Sequence, residues 1–338
     1  MSVCNKPASA EALLELARSS RRVLVTGPTD VDGDSIGSCL ALAYVLERLT
    51  DAELVVAGEP GWRYRSLPNV SRCLANADVR GPFGLAVVLD GDRRRLTNAV
   101  LPLFEASEHQ AVIDHHKSTT GEGYDFAFVD PHTASTAELV LALLEQWSFP
   151  LDAELAQLLL TGIAYDTGGF RHTNTSAHTL RLAADLVDAG AKYSAVVVTT
   201  ACERSPVGVS LTGTAMSRAA FHAGGRLAVG WVSREALEEL SATGGDLDFI
   251  VDQLLYVRGV EVAILALGRS GLDGPEVKLS LRSRGGADVC EIAHSLHPEG
   301  GGHERAAGVV LAGEAKSVVE QVVVPKVIQV LDAAARLG

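Results

Sequence analysis

Five apolar runs punctuate the first 130 residues: Arg22 to Thr26, Glu53 to Ala57, Leu85 to Leu89, Ala111 to Ile113 and Asp125 to Val129. Short runs that stay apolar on both alternating faces belong to strands buried from both sides, and helix-forming stretches separate several of them. Parallel neighbours need a crossover, so such strands assemble into a parallel sheet covered by helices on both faces. The expected helices are 9–19, Ser35 to Leu49, Ser135 to Trp147, 152–164 and Ser176 to Ala189. The expected fold class is α/β.

Three of the runs feed directly into acids. Asp30, Asp32 and Asp34 follow the first, Asp90 the third, and Asp114 with His115 and His116 the fourth, while Asp166 sits beside Gly168 and Gly169. In open parallel sheets ligands collect at the carboxyl ends of strands, near the point where strand order reverses. Carboxylates gathered on one rim repel each other and raise their own pKa values unless a cation lies among them, so the pattern predicts a metal site. Neighbouring side chains at a strand end diverge, so His115 and His116 take different jobs. Taken singly, a His-His pair is a surface loop and Asp166 a turn former; the company of the other acids changes that reading. Ser135 and Glu138 are assigned to a capping box before any substrate contact. Oxygen-rich ligands with one or two imidazoles suit Mn²⁺ or Mg²⁺, and two such ions about 3.5–4 Å apart serve phosphoryl chemistry.

At 338 residues the chain is long enough for two domains. The expected division is a first domain over 1–190, a connecting segment over 191–215 and a smaller α/β domain over 216–338, with strands 226–232, 260–266 and 277–281 and helices 245–256, 288–295 and 315–336. The formal charge of -13 argues against a surface that grips long nucleic acid. Five scattered cysteines indicate neither a disulfide framework nor a zinc ribbon and fit a reducing cytoplasm. Met1 to Lys6 lacks the pattern of a leader, and the longest apolar stretch, Ile36 to Leu46, falls well short of the ~20 residues of a membrane span.

These residues resemble a known family. Asp32-Gly33-Asp34-Ser35-Ile36-Gly37-Ser38, Asp90, Asp114-His115-His116 and Tyr165-Asp166-Thr167-Gly168 are similar, in order, to the four motifs of the DHH phosphoesterases. Val277 to Arg284 and Gly300 to Gly308, containing Gly300-Gly301-Gly302-His303, resemble the DHH-associated C-terminal domain. Size and layout are most similar to the nanoRNase and pAp-phosphatase branch. The resemblance implies a parallel-sheet DHH domain and a smaller α/β C-terminal domain, with the active site in the cleft between them. It implies that Asp90 bridges two divalent cations, Asp32 serves the first, and Asp34, His115 and Asp166 serve the second. His116 would contact the scissile phosphate and Asp114 would orient an imidazole, while Arg282, Gly301, Gly302 and His303 would hold the other phosphate of the nucleotide. The glycines and the Arg282 fork suit an anion on chemical grounds as well. The implied substrates are short oligoribonucleotides, linear dinucleotides or pAp, with no membrane partner; a homodimer and a monomer are both compatible with the sequence.

One position departs from the family. Its opening motif places a histidine four residues before the first aspartate as a ligand of the first metal, and here that residue is Pro28. Asp30 is the expected replacement, because in an extended stretch Asp30, Asp32 and Asp34 share a face. The alternatives are a weakly held first metal, or a catalytically impaired protein that keeps nucleotide binding as a sensor. A dinucleotide-binding oxidoreductase lacks its sequence mark, since no Gly-x-Gly-x-x-Gly follows the first strand.

Overall fold

The computed structural model describes residues 9–337 except 248, 273 and 286. Met1 to Lys6 lies outside the described residues. The chain forms two compact units, dividing after Glu203.

The first unit is built on six parallel strands: β1 (Arg22–Thr26), β2 (Glu53–Ala57), β3 (Cys73–Leu74), β4 (Leu85–Leu89), β5 (His109–Asp114) and β6 (Phe126–Val129). Their spatial order is β3-β2-β1-β4-β5-β6, so chain direction across the sheet reverses between β1 and β4. Burial on both faces explains the unbroken apolar runs. Val23 and Val25 pack into the larger core cluster and Leu24 into the smaller one; Leu85, Val87 and Leu89 separate from Ala86 and Val88 in the same way.

The helices are α1 (Ala10–Ser19), α2 (Gly33–Leu49), α3 (Leu101–Glu105), α4 (Thr136–Gln146), α5 (Ala153–Asp166), α6 (Ala177–Asp188) and α7 (Tyr193–Val197). The larger core draws on α1, α2, α4 and α5; the opposite face is closed by Val79, Phe83, Leu96, Val100 and Phe104. Helix α2 is buried from Gly33 through Leu46, which explains why its sequence is apolar all round rather than striped. It can lie against α5 because both carry glycine at the crossing. A Cβ on Gly37 would stand 2.6 Å from the Leu158 carbonyl oxygen, and one on Gly162 would stand 2.5 Å from Asp34 Oδ1 and 2.7 Å from Ala137 Cβ.

Several expectations are revised. Asp166 is the last residue of α5 and not part of a glycine turn, because the helix runs two residues further than its apolar pattern. Residues 191–215 are largely helical: α7, a π-helical turn over Val198–Cys202, and α8 (Pro206–Ser217). The buried Arg63 donates from Nη1 to the Thr199 and Glu203 carbonyls at 2.9 and 2.7 Å, satisfying acceptors that this irregular turn leaves open. No helix among the described residues is long and apolar enough to cross a membrane.

The second unit is a mixed sheet in the order β11-β12-β10-β9-β8-β7, formed by β7 (Ala220–His222), β8 (Leu227–Val232), β9 (Val262–Ser270), β10 (Pro275–Ser283), β11 (Gly301–His303) and β12 (Ala306–Ala312). β8 and β9 are parallel and the other pairs antiparallel. Helices α9 (Arg234–Glu239), α10 (Ile250–Leu255), α11 (Val289–Leu296), α12 (Ala315–Val318) and α13 (Val324–Leu337) accompany it. The helix expected over 245–256 starts only at Ile250, because Phe249 takes a left-handed conformation at φ +62°. The closing helix is interrupted by a π-helical turn over Val319–Val323.

Replacing Gly37 by alanine should lower stability, although alanine is the better helix former by about 1 kcal/mol. The new methyl group meets fixed backbone, and overpacking of that kind typically costs about 1–3 kcal/mol. Urea unfolding of Gly37→Ala should show an earlier midpoint; an unchanged or later one would mean that α2 and α5 separate without cost.

Candidate metal centre

The strand ends on either side of the reversal deliver the acids. After β1 the chain turns into α2, whose N-cap is Asp32: its Oδ1 accepts from the Asp34 and Ser35 amides at 3.0 and 2.9 Å, and Ser35 Oγ accepts from the Asp32 amide at 2.8 Å. Asp32 is thus fixed by local chemistry, and Asp34 follows in the first helical turn. After β4, Asp90 takes a left-handed backbone at φ +58°, an uncommon conformation for a residue with a side chain. Gly91 at φ +151° completes the sharp turn. β5 ends at Asp114, whose carbonyl accepts from the Asp130 amide, and His115 and His116 leave the sheet there.

Asp34, Asp90, His115 and Asp166 each offer a ligand atom within 4.8 Å of the others. His115 Nε2 lies 3.0 Å from Asp166 Oδ2 and 3.5 Å from Asp90 Oδ1. A second group of the same spacing, Asp90, Asp114 and His116, shares Asp90 with the first. His116 Nδ1 is 2.7 Å from Asp114 Oδ1, and its Nε2 is 3.3 Å from Arg95 Nη1. A guanidinium can only donate, so Nε2 is the accepting nitrogen and Nδ1 carries the hydrogen toward Asp114. Asp114 is fully buried and also accepts from Thr119 Oγ1, so its carboxylate is committed to orienting the His116 ring. The two imidazoles diverge, with ring centroids 4.7 Å apart and planes at 67°.

Burial, followed by Asp166 and Asp90, pushes the Asp34 carboxyl well above its ordinary range; burial, followed by Asp90 and Asp166, does the same to Asp32. Burial disfavours the His115 imidazolium, but Asp166 and Asp90 outweigh it and hold its pKa well above the usual value. For Asp114, burial is opposed and outweighed by His116 and Thr119, and its carboxyl lies below the usual range. Repelling carboxylates and an imidazole of this density are a donor set for a hard divalent cation, which would neutralise the repulsion.

The remaining predicted residues fall elsewhere. Asp30 is exposed and belongs to neither cluster; its loop is fastened by Thr29, whose amide and hydroxyl both donate to the Arg95 carbonyl at 2.8 and 2.9 Å. Asp32 also stands outside both clusters and reaches them through its electrostatic coupling to Asp90 and Asp166. In the second unit, Arg282 on β10 and His303 on β11 both pair with Ala306 of β12, so the two side chains share one row and one face with a small residue between them. Gly302 has φ +138°, and a Cβ there would meet the Ala306 oxygen at 2.4 Å, so packing alone accounts for it; Gly301 faces open space.

Some functional contacts escape sequence reasoning. The Ser135–Glu138 capping box does not form: Ser135 makes no side-chain cap, and Glu138 Oε2 accepts from the Ala134 amide instead. The start of α4 is capped from a distance by Asp34, which accepts from the Thr136 and Ala137 amides at 2.6 and 3.0 Å. Thr136 Oγ1 also lies 3.3 Å from Asp90 Oδ1. The signal was present in the polar run Thr133 to Thr136 before a helix, but its partner lies about a hundred residues away in sequence. Asp252 is the other omission: fully buried on α10, it sets Oδ1 3.6 Å from Arg282 Nε.

A parallel sheet with hard metal donors gathered where strand order reverses defines an α/β fold with a candidate metal centre at its ligand-binding rim. Comparison with known proteins narrows the class. Residues 22–163 match the DHH family N-terminal domain and residues 224–334 the DHHA1 domain. The chain is 34% identical to the bifunctional oligoribonuclease and PAP phosphatase NrnA of Thermus thermophilus, over 86% of this chain and 84% of that protein. It is 26% identical to the NrnA of Bacillus subtilis over 44% of this chain and 47% of that one. Among solved structures, an exopolyphosphatase-related protein of Bacteroides fragilis shares the fold at a TM-score of 0.82 and 20% identity, over 100% of this chain and 99% of that one. This chain belongs to the DHH family and is a phosphoesterase.

The titration of the cluster yields a sign. An acid whose pKa is raised on folding carries no penalty while protonated in both states and becomes destabilising as pH rises through the unfolded and then the folded value. A raised imidazole gives its full stabilisation below about 6.5 and loses it as pH climbs through the folded value. Asp32, Asp34 and His115 therefore act together, and metal-free protein should lose stability above about pH 6.5. A cation that takes over these groups gains most there; at about 100 times its dissociation constant it adds about 2.7 kcal/mol. Melting curves with and without Mn²⁺ should show a larger upward shift at pH 8 than at pH 6. Equal shifts at the two pH values would place the cation elsewhere.

Proposed function

We propose that this phosphoesterase hydrolyses very short oligoribonucleotides, linear dinucleotides among them, and the 3′-phosphate of pAp, using two divalent cations, Mn²⁺ first and Mg²⁺ second. The observation that carries the reading is the convergence of Asp34, Asp90, His115 and Asp166 within 4.8 Å, a donor set for a hard divalent cation, with Asp32 close enough to Asp90 to extend it toward a second. The likeness to the Thermus oligoribonuclease and PAP phosphatase supports the substrate class.

In this reading Asp34, His115 and Asp166 would hold one cation, Asp32 would serve the other, and Asp90 would be shared by both. With Pro28 offering no ligand atom and Asp30 exposed, the first cation would rest on Asp32 and Asp90, and we assign it the weaker site. When bound, the cations activate water and neutralise the charge of the phosphate. The protein supplies the positioning. Asp114 fixes the His116 ring at 2.7 Å so that its other edge addresses the scissile phosphate. Arg282, His303 and the open backbone at Gly301 take the second phosphate of the nucleotide, and Asp252 steadies Arg282 from behind. The net charge of -13 is in keeping with short substrates rather than long nucleic acid.

Product analysis tests this. Purified protein with pAp and with a two- to five-nucleotide RNA ladder should release AMP and mononucleotides in Mn²⁺, more slowly in Mg²⁺, and none in chelator. Asp90→Ala should lose about 10²-fold or more in turnover. Absence of turnover with retained nucleotide binding would replace the enzyme reading by the sensor reading that Pro28 favours.

A further inference from the structure

Arg95 stands over the cluster without belonging to it. It closes the 3₁₀ turn Arg93–Arg95 that follows Asp90, and its side chain is exposed. Among the described residues it forms no ion pair with a carboxylate. Its guanidinium instead reaches the His116 edge, Nη1 to Nε2 at 3.3 Å, on the nitrogen turned away from Asp114. A Cβ on Gly91 would stand 3.3 Å from Arg95 Cδ, so the glycine makes room for the arginine to lie back along the Asp90 turn. An exposed cation held against an uncharged nitrogen, rather than paired with one of several nearby acids, is placed for an anion that arrives later.

We propose that Arg95 is a phosphate-binding residue that sets the balance between the two substrate types, favouring phosphate monoesters over diesters. The inference rests on the site reading above, in which His116 faces the scissile phosphate. A 3′-phosphate monoester presents three non-bridging oxygens and up to two negative charges, whereas an internucleotide diester presents two oxygens and one charge. His116 and the bridged cations account for the atoms common to both. The additional oxygen and charge of the monoester need a further donor on the His116 side, and the two-pronged guanidinium supplies it. The anchor of that loop is the Arg95 carbonyl, bound by Thr29, so replacing the side chain leaves it intact.

The test compares wild type, Arg95→Gln and Arg95→Lys in Mn²⁺ on pAp and on a 5′-phosphorylated diadenylate. Loss of a hydrogen-bonded charge typically weakens an interaction by about 10- to 100-fold. kcat/KM for pAp should fall by that factor in Arg95→Gln and by less in Arg95→Lys, with the diadenylate changed by less than about 5-fold. Equal losses on the two substrates, or no loss on either, would overturn the assignment. Calorimetric titration of the Mn²⁺-loaded proteins with inorganic phosphate provides a readout independent of turnover, and Arg95→Gln should bind about 10-fold more weakly. Equal affinity in the two proteins, or no binding by wild type, would also overturn it. If wild type cleaves neither substrate but the phosphate affinities differ as expected, the proposed function fails and with it the balance between substrates, while Arg95 stands as a phosphate-binding residue.

Discussion

Like charges do not gather without cause, and the first unit is arranged around gathering them. Asp32, Asp34, Asp90 and Asp166 come from three regions of the chain to one rim because β1 and β4 are neighbours that lead the chain in opposite directions across the sheet. Fold and site are therefore one constraint. What makes the crowding tolerable is a set of donors aimed at the acids: the α4 amides on Asp34, the α2 amides on Asp32, Thr136 on Asp90 and the ring of His115 on Asp166. Two helix starts thus face the cluster, and the partial positive charge at such a start favours carboxylates.

Much of this was legible in the sequence. β1, β2 and β4 coincide with apolar runs whose character follows from burial on both faces, and the acids that terminate them were visible because a buried strand announces its own end. The divergence of His115 and His116 followed from strand geometry alone. Less legible were contacts whose partners lie far apart in sequence. Ser135 and Glu138 have the spacing of a local cap, yet the first amides of α4, those of Thr136 and Ala137, are taken by Asp34, an acid with no local signature for that role. The glycine-rich segment around Gly300 reads as a turn, but Gly301–His303 is a strand, since a neighbour's backbone can approach where side chains are absent.

Asp30 is the instructive case. In an extended stretch it would share a face with Asp32 and Asp34, but the stretch is not extended throughout: α2 begins at Gly33, and Asp32 turns inward to cap it. A helix start so close to the strand end gives Asp32 and Asp34 different surroundings and leaves Asp30 at the surface. Period-two reasoning holds only as far as the backbone stays pleated.

The capping of α4 by Asp34 also bears on how ions come and go. Both oxygens of that carboxylate are already engaged by backbone amides, so its position is fixed before any cation arrives and little ordering remains to be done on binding. The same bonds support the start of α4 with no ion bound. A cation centre built on such a carboxylate would be emptied and refilled as a reversible exchange on a standing scaffold, without the fold being rebuilt each time.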